Sequence, residues 1–167
     1  MTVSNPNLRW ITVFGLGHCR PAPGTWGSLP PVAIAAALAL AGILPGTTHA
    51  WVYHVVLASV CLLFCWACVA QGDRAEARLG KDPSAAVADE VAGQALTLLA
   101  LPVPFLTSPT RIALAIAAAF FLFRLCDVIK PPPARGIQKT PAGWGILLDD
   151  LIAGLYAASL LQLLRLL

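Results

Sequence analysis

Charged side chains are scarce in this sequence, and long stretches have none. Asp, Glu, Lys and Arg make up 11% of the residues, whereas a soluble domain carries about 25%. None occurs in residues 29–70, and further uncharged runs cover residues 91–110, 112–123 and 151–164. This scarcity argues against an ordinary water-soluble domain and, with a mean hydropathy of +0.77, predicts contact with lipid.

The sequence also lacks a disulfide framework and a nucleic-acid surface. Cys61, Cys65 and Cys68 follow helical spacing inside an apolar run, where soft metal ligands are one alternative and small buried hydrophobes the expected one. No CxxC pair or Cys/His spacing accompanies Cys19 or Cys126. The eleven basic residues give a net charge of only +3 and are scattered, so nucleic acid is not expected as a partner.

The apolar pattern predicts an all-α integral membrane protein with a single domain, residues 1–167. No internal repeat, low-complexity linker or charge block marks a boundary. Several apolar segments are shorter than the ~20 residues of a full crossing, and Pro102 and Pro104 interrupt the third. We expect a compact bundle of about five transmembrane or partly re-entrant helices, at residues 30–44, 51–70, 91–101, 111–126 and 148–166.

Basic residues gather on one side of this expected bundle, apart from Arg111 and Arg165. They lie before the first segment, between the second and third, and between the fourth and fifth. By the positive-inside rule these connections face the cytoplasm. Residues 1–28 are therefore expected to form a cytoplasmic segment with a Gly- and Pro-rich loop. Arg165 lies near the far side, where its long side chain can snorkel to the interface.

All eight acidic residues fall on that same side, and five of them lie at expected helix ends. Asp89 and Glu90 precede the third segment, Asp127 closes the fourth, and Asp149 and Asp150 open the fifth. Carboxylates packed at a water–lipid boundary repel one another and resist desolvation. A hard cation such as Mg²⁺ would compensate them. The pattern therefore predicts a metal site at the cytoplasmic end of the bundle.

A simpler explanation exists for some of these acids. A carboxylate at a helix N-terminus complements the helix dipole, which contributes about 0.3–1 kcal/mol. This explanation suits Asp89 and Asp149. It does not suit Asp127 at a helix C-terminus, where the dipole disfavours a negative charge. We therefore favour a functional role for Asp127.

Two cations flank Asp127 along the same helix. Arg124, Asp127 and Lys130 recur at i, i+3 and i+6, which aligns them along one helical face. A structural ion pair is one explanation, and snorkelling of Arg124 is another. Beside a metal site, however, the two cations are typical phosphate ligands.

A loop rich in Gly and Pro precedes the first apolar segment. Residues 15–28 read GLGHCRPAPGTWGS, with Ser28 as the expected N-cap before Pro30 and Pro31. Such a loop exposes backbone N–H groups and a helix N-terminus, which favour an anion such as phosphate. His18 could transfer protons, but a lone loop histidine is more often incidental. Together these features indicate chemistry on a phosphorylated lipid or headgroup.

Four segments carry a resemblance to a known family. They are APGTWGS at residues 22–28, Asp82 followed by VADEVAG at 87–93, FRLCDVIKPPP at 123–133 and GWGILLDDLIAG at 143–154. In order and spacing they resemble the phosphatidylglycerophosphatase A family over nearly the whole chain. That family removes the terminal phosphate of phosphatidylglycerophosphate to give phosphatidylglycerol. The resemblance implies a Mg²⁺-dependent hydrolase of phospholipid biosynthesis in the bacterial inner membrane, with its active site facing the cytoplasm.

The resemblance also implies roles for individual residues. Metal ligands or a catalytic carboxylate would come from Asp89, Glu90, Asp127, Asp149 and Asp150, and phosphate contacts from Thr25, Ser28, Arg124 and Lys130. This chain departs from the family at Arg20, where relatives often have Pro, and at residues 141–142, where some have His-Gly. The implied mechanism leaves open whether a carboxylate activates water or attacks phosphorus itself.

Three other functions fit parts of the pattern. A small transporter or channel would use the acids as an ion site, although they lie at helix ends and leave no polar path. A CDP-alcohol phosphotransferase is suggested by Asp73 and Arg78, but its Asp-Gly order is reversed here. A membrane scaffold would depend on Gly and Ala packing and not on carboxylates. The sequence does not indicate an oligomeric state.

Overall fold

Five α-helices form most of the chain that the structure describes. A computed structural model describes residues 8–81, 83–132 and 143–167. Short 3₁₀ helices occur at Val13–His18, Val103–Phe105 and Gln162–Leu166. The α-helices are α1 (Pro23–Leu40), α2 (Ala50–Leu79), α3 (Ala88–Leu98), α4 (Pro109–Ile129) and α5 (Gly143–Leu161). The expected all-α bundle of about five helices is confirmed.

Three of the helical segments are long and apolar enough to cross a membrane. They are Ala50–Leu79, Pro109–Ile129 and Gly143–Leu166. Only 33%, 28% and 44% of their most apolar windows are buried inside the protein, so most of this apolar surface faces outward. Leu62, Phe121 and Leu155 are examples of such exposed side chains. Apolar surface of this extent requires lipid around it, which confirms a membrane protein.

The short helix α3 lies at the centre of the bundle and packs against all four other α-helices. Of its 11 residues, only Glu90 and Leu96 are not fully buried. Eleven residues of α-helix rise about 16 Å, roughly half of a ~30 Å hydrocarbon layer. The third apolar segment therefore does not cross as one continuous helix.

Side chains from neighbouring helices bind the carbonyl groups around the end of α3. The Tyr53 hydroxyl donates to the carbonyl of Leu98 over 3.0 Å, and Gln162 Nε2 donates to the carbonyl of Ala100. The last carbonyls of a helix have no partner within it, and in lipid they must find one inside the protein. These contacts explain how the third apolar segment can stop being helical inside an apolar bundle.

Glycines bring α3 and α5 into backbone contact. A Cβ added to Gly93 would lie 2.6 Å from the carbonyl oxygen of Asp150, and one added to Gly154 would lie 2.6 Å from that of Gly93. Neither glycine could carry a side chain without moving the two helices apart. Because Asp89 and Asp150 each precede their glycine by four residues, about one helical turn, this contact sets the two acids side by side.

The helix α1 begins at Pro23, seven residues before the expected start at residue 30. Ser28 is therefore not an N-cap: it lies inside α1, fully buried, and its hydroxyl donates to the carbonyl of Gly24 over 2.8 Å. Pro23 at the first helical position loses no hydrogen bond. Packing of α1 against α3 then continues the helix through Pro30 and Pro31, which sequence rules treat as a start signal.

The helix α5 also begins earlier than expected, at Gly143 instead of residue 148. Asp149 and Asp150 consequently lie in its second turn and are buried. The dipole explanation considered for Asp149 is therefore wrong, because the effect is confined to the first turn. At the other helices, α2 extends nine residues beyond the expected end, and α3 and α4 differ by two or three residues at each end.

A buried carboxylate cluster at one end of the bundle

Three carboxylates meet where α3 and α5 begin. Oxygens of Asp89, Glu90 and Asp150 lie within 4.8 Å of one another. Asp89 Oδ1, Glu90 Oε2 and Asp150 Oδ2 are buried without a hydrogen-bond partner among the described residues. Buried polar atoms normally have partners, and a hard cation binds carboxylate oxygens. We call these residues the carboxylate trio; its donor set fits a hard metal cation.

Burial works against ionisation of Asp89 and Glu90. Desolvation raises the pKa of Asp89 well above its ordinary range, and the charges of Glu90 and Asp150 raise it further. Desolvation also raises the pKa of Glu90; a hydrogen bond to Asp89 and the charge of Arg124 oppose this shift without reversing it. A cation at this position would favour the ionised carboxylates.

Arg124 connects the trio to the first turn of α1. Its guanidinium pairs with Asp127 over 2.7 Å and donates to the Ser28 hydroxyl over 3.5 Å. A Cβ added to Gly24 would lie 2.9 Å from Arg124 Nη1 and still closer to Glu90 Oε1. The absence of a side chain at Gly24 therefore lets α1 approach the site. The ion pair with Arg124 also explains an acid at the end of α4.

Lys130 pairs with Asp149 on the other side of the trio. It caps α4 in a left-handed conformation, with φ of 48°, and its ammonium donates to Asp149 Oδ2. Burial acts to lower the pKa of Lys130, but the hydrogen bond and charge of Asp149 outweigh it and raise the pKa. Lys130 therefore remains a cation, fixed beside the cluster.

Residues 10–165 match the family model of phosphatidylglycerophosphatase A. The chain belongs to this family. It is similar to the phosphatidylglycerophosphatase A of Haemophilus influenzae, with 36% identity over 94% of this chain and 87% of the relative. The Escherichia coli protein of that name is 30% identical over 96% of this chain and 84% of its own length.

A third relative has a different name. A protein of Bacteroides thetaiotaomicron that carries the provisional name phosphatidylinositol-3-phosphatase is 35% identical over 92% of this chain and 90% of its own. No solved structure matches the chain significantly. All three relatives are thus named as phosphatases of phosphorylated lipids.

The nine residues predicted for the site fall into three groups in the structure. Asp89, Glu90 and Asp150 form the trio. Asp127 and Asp149 pair with Arg124 and Lys130, and the charge of Asp127 also acts on Glu90 and Asp150. Ser28 contacts Arg124, whereas the Thr25 side chain, in the first turn of α1, makes no hydrogen bond to a described residue. Asp82 and residues 133–142 lie outside the described residues.

Sequence reasoning missed two residues near the trio. Gly24 permits the approach of α1, and Gln94 is completely buried with both amide atoms lacking a partner among the described residues. Gln94 lies four residues after Glu90 and therefore on the same side of α3. The sequence did contain a signal for Gln94, because it is one of only two polar side chains in residues 91–101, the other being Thr97.

Proposed function

We propose that this protein, as a single membrane domain, hydrolyses the terminal phosphate monoester of phosphatidylglycerophosphate to phosphatidylglycerol and inorganic phosphate. The reaction depends on Mg²⁺ and takes place at the cytoplasmic face of the bacterial inner membrane. The observation that carries this proposal is the trio of buried, unpartnered carboxylate oxygens with Arg124 and Lys130 beside it. Family membership and the names of two relatives support the substrate.

In this mechanism the trio of Asp89, Glu90 and Asp150 holds the metal. Mg²⁺ bound there would polarise the phosphoryl oxygens and neutralise part of their charge. Arg124, oriented by Asp127, donates to the same phosphoryl group. Lys130, oriented by Asp149, supplies a second positive charge. Cations fixed in advance stabilise the charge that builds up in the transition state.

A water molecule is the nucleophile that this arrangement favours. Asp127 and Asp149 are each engaged by a cation, which makes them poor nucleophiles, while the trio serves the metal. A carboxylate accepts the proton of the water, the water oxygen bonds to phosphorus, and the bond from phosphorus to the glycerol oxygen breaks, with a proton passing to that oxygen. Acid quenching with ³²P-labelled substrate should leave the protein unlabelled; retained label would establish a phosphoenzyme instead.

The proposed activity is tested by phosphate release from phosphatidylglycerophosphate in detergent micelles. Release is expected with Mg²⁺, not with excess chelator, and should be lost in Asp150→Asn. Asp73→Asn is the matched control, because Asp73 is exposed near the end of α2, and this variant should keep full activity. Folded wild type that releases phosphate under neither condition would contradict the proposal.

The substrate is tested by competition between two lipids. Phosphatidylinositol 3-phosphate is the appropriate competitor, because one relative is named for it. We expect preference for phosphatidylglycerophosphate, measured as kcat/KM for each lipid. The opposite preference would support a phosphatase activity but contradict the proposed substrate. A transporter is not favoured, since the acids of the described chain gather at one end and form no path along the bundle.

A further inference from the structure

A cavity lies near the carboxylate cluster. It has a volume of about 370 Å³ and opens between the loop that precedes α1 and the loop that precedes α3. Its lining residues are Gly17, His18, Arg20, Pro21, Pro23, Ser84 and Ala85. Close backbone contact holds its two walls together, since a Cβ added to Gly17 would collide with the carbonyl group of Ala85. The cavity is therefore a built feature of the fold.

The polar groups that line this cavity suit an anion. Arg20 contributes a guanidinium, His18 an imidazole and Ser84 a hydroxyl, and none of the lining residues that the structure describes is acidic. Arg20 and His18 are exposed, and neither side chain has a hydrogen bond or ion pair with the described residues. A guanidinium whose donors no described residue engages can bind phosphate oxygens.

The cavity and the carboxylate trio are bordered by consecutive residues at the start of α1. Pro23 lines the cavity, and its neighbour Gly24 lies against Glu90 and Arg124. Consecutive Cα atoms are about 3.8 Å apart, so a residue of the cavity wall is followed directly by one that contacts the site. The first turn of α1 begins at the same point, and the partial positive charge of a helix N-terminus also attracts anions.

We infer that this cavity is a subsite for orthophosphate, where the phosphate product binds on its way to water. That the ligand is the product rests on the function proposed above. Hydrolysis leaves one product in the bilayer and releases a small dianion beside five carboxylates, which repel it. The cavity provides a cation that no described carboxylate engages, Arg20, on a wall formed by loops and not by lipid-facing helices.

Binding of ³²P-orthophosphate to the full-length protein in detergent tests the inference directly. Equilibrium dialysis is done with excess chelator, so that a metal at the trio cannot contribute. Wild type should bind saturably, and Arg20→Gln should weaken binding about tenfold, the loss expected for a charge-assisted hydrogen bond. Arg20→Lys, which keeps the charge, should restore part of it.

Arg74→Gln is the matched control, because Arg74 is exposed on α2 and lies outside the cavity. Equal binding by wild type and Arg20→Gln would overturn the inference, and so would an equal loss in Arg74→Gln, which would indicate general attraction by surface charge. In the micelle assay, Arg20→Gln should raise the inhibition constant of added phosphate about tenfold. If the proposed function is wrong, the micelle assay will show no phosphate release. If this inference is wrong, the dialysis will show that Arg20→Gln binds phosphate as well as wild type does.

Discussion

Lys130, at the end of α4, donates a hydrogen bond to Asp149 in the second turn of α5. The Asp149 side chain is only 4% exposed and that of Lys130 is 27% exposed. The pair joins two helices across the polar end of the bundle. It also places a buried carboxylate against a cation from another helix, which makes it a sensitive place for substitution.

Replacing Lys130 by Gln should destabilise the protein and reduce its activity. The change removes the ammonium that donates to the buried Asp149 Oδ2, at a cost of about 1–3 kcal/mol, and removes a charge proposed to contact phosphate. Thermal unfolding in detergent measures the first effect. Lys130→Arg should keep most of the stability. In the double variant Lys130→Gln/Asp149→Asn, part of the lost stability should return; strictly additive losses would show that the pair is not coupled.

Replacing Asp150 by Asn should make the metal-free protein more stable and should weaken its binding of Mg²⁺. In excess chelator the variant should unfold at a higher temperature than wild type, since one of three crowded carboxylates is gone. Addition of Mg²⁺ should raise the unfolding temperature of wild type by linkage and leave that of the variant nearly unchanged. Asp73→Asn should respond to Mg²⁺ as wild type does. A full Mg²⁺ shift in Asp150→Asn would remove Asp150 from the metal site.

Gly154→Ala should impair activity strongly, although the substitution adds only one methyl group. The added methyl group would lie 2.6 Å from the carbonyl oxygen of Gly93, so α5 must move away from α3 and carry Asp150 with it. We expect a lower unfolding temperature and a weaker Mg²⁺ shift. Ser159→Ala, at an exposed position of the same helix, is the control. Unchanged Mg²⁺ response in Gly154→Ala would show that the contact does not position the acid.

Tyr53→Phe should affect stability without affecting the metal site. The variant loses the hydrogen bond to the carbonyl of Leu98 at the opposite end of α3, and leaves that buried acceptor without a partner. A loss of about 1–3 kcal/mol is expected. The Mg²⁺-induced rise in unfolding temperature should remain, measured in the same experiment as for wild type. Loss of that rise would indicate that the two ends of α3 are coupled.

Much of the architecture could be predicted because lipid imposes simple constraints on sequence. Uncharged runs located all five helices, and the confinement of acids to the connections on one side placed them at one end of the bundle. Helix ends were less predictable. Pro30 and Pro31 suggested a start, whereas Pro23 is the first residue of α1, because packing against α3 overrides local preference.

The pairing of charges in the site was only partly predictable. The spacing of Arg124 and Asp127 indicated their ion pair, since both lie on one helix. The contact between Lys130 and Asp149 joins different helices, and no sequence pattern reports such a distance. The sequence set Asp127 apart by its place at a helix C-terminus, but it did not distinguish the three acids of the trio from the two that pair with cations.

The contact between Gly93 and Gly154 has a consequence for how this sequence can vary in length. One inserted residue rotates everything after it by about 100° around a helix axis. An insertion between Asp89 and Gly93, or between Asp150 and Gly154, would keep every side chain of the site and still turn one acid away from the other. Natural relatives should therefore differ in length in the connections, while these two four-residue intervals stay free of gaps.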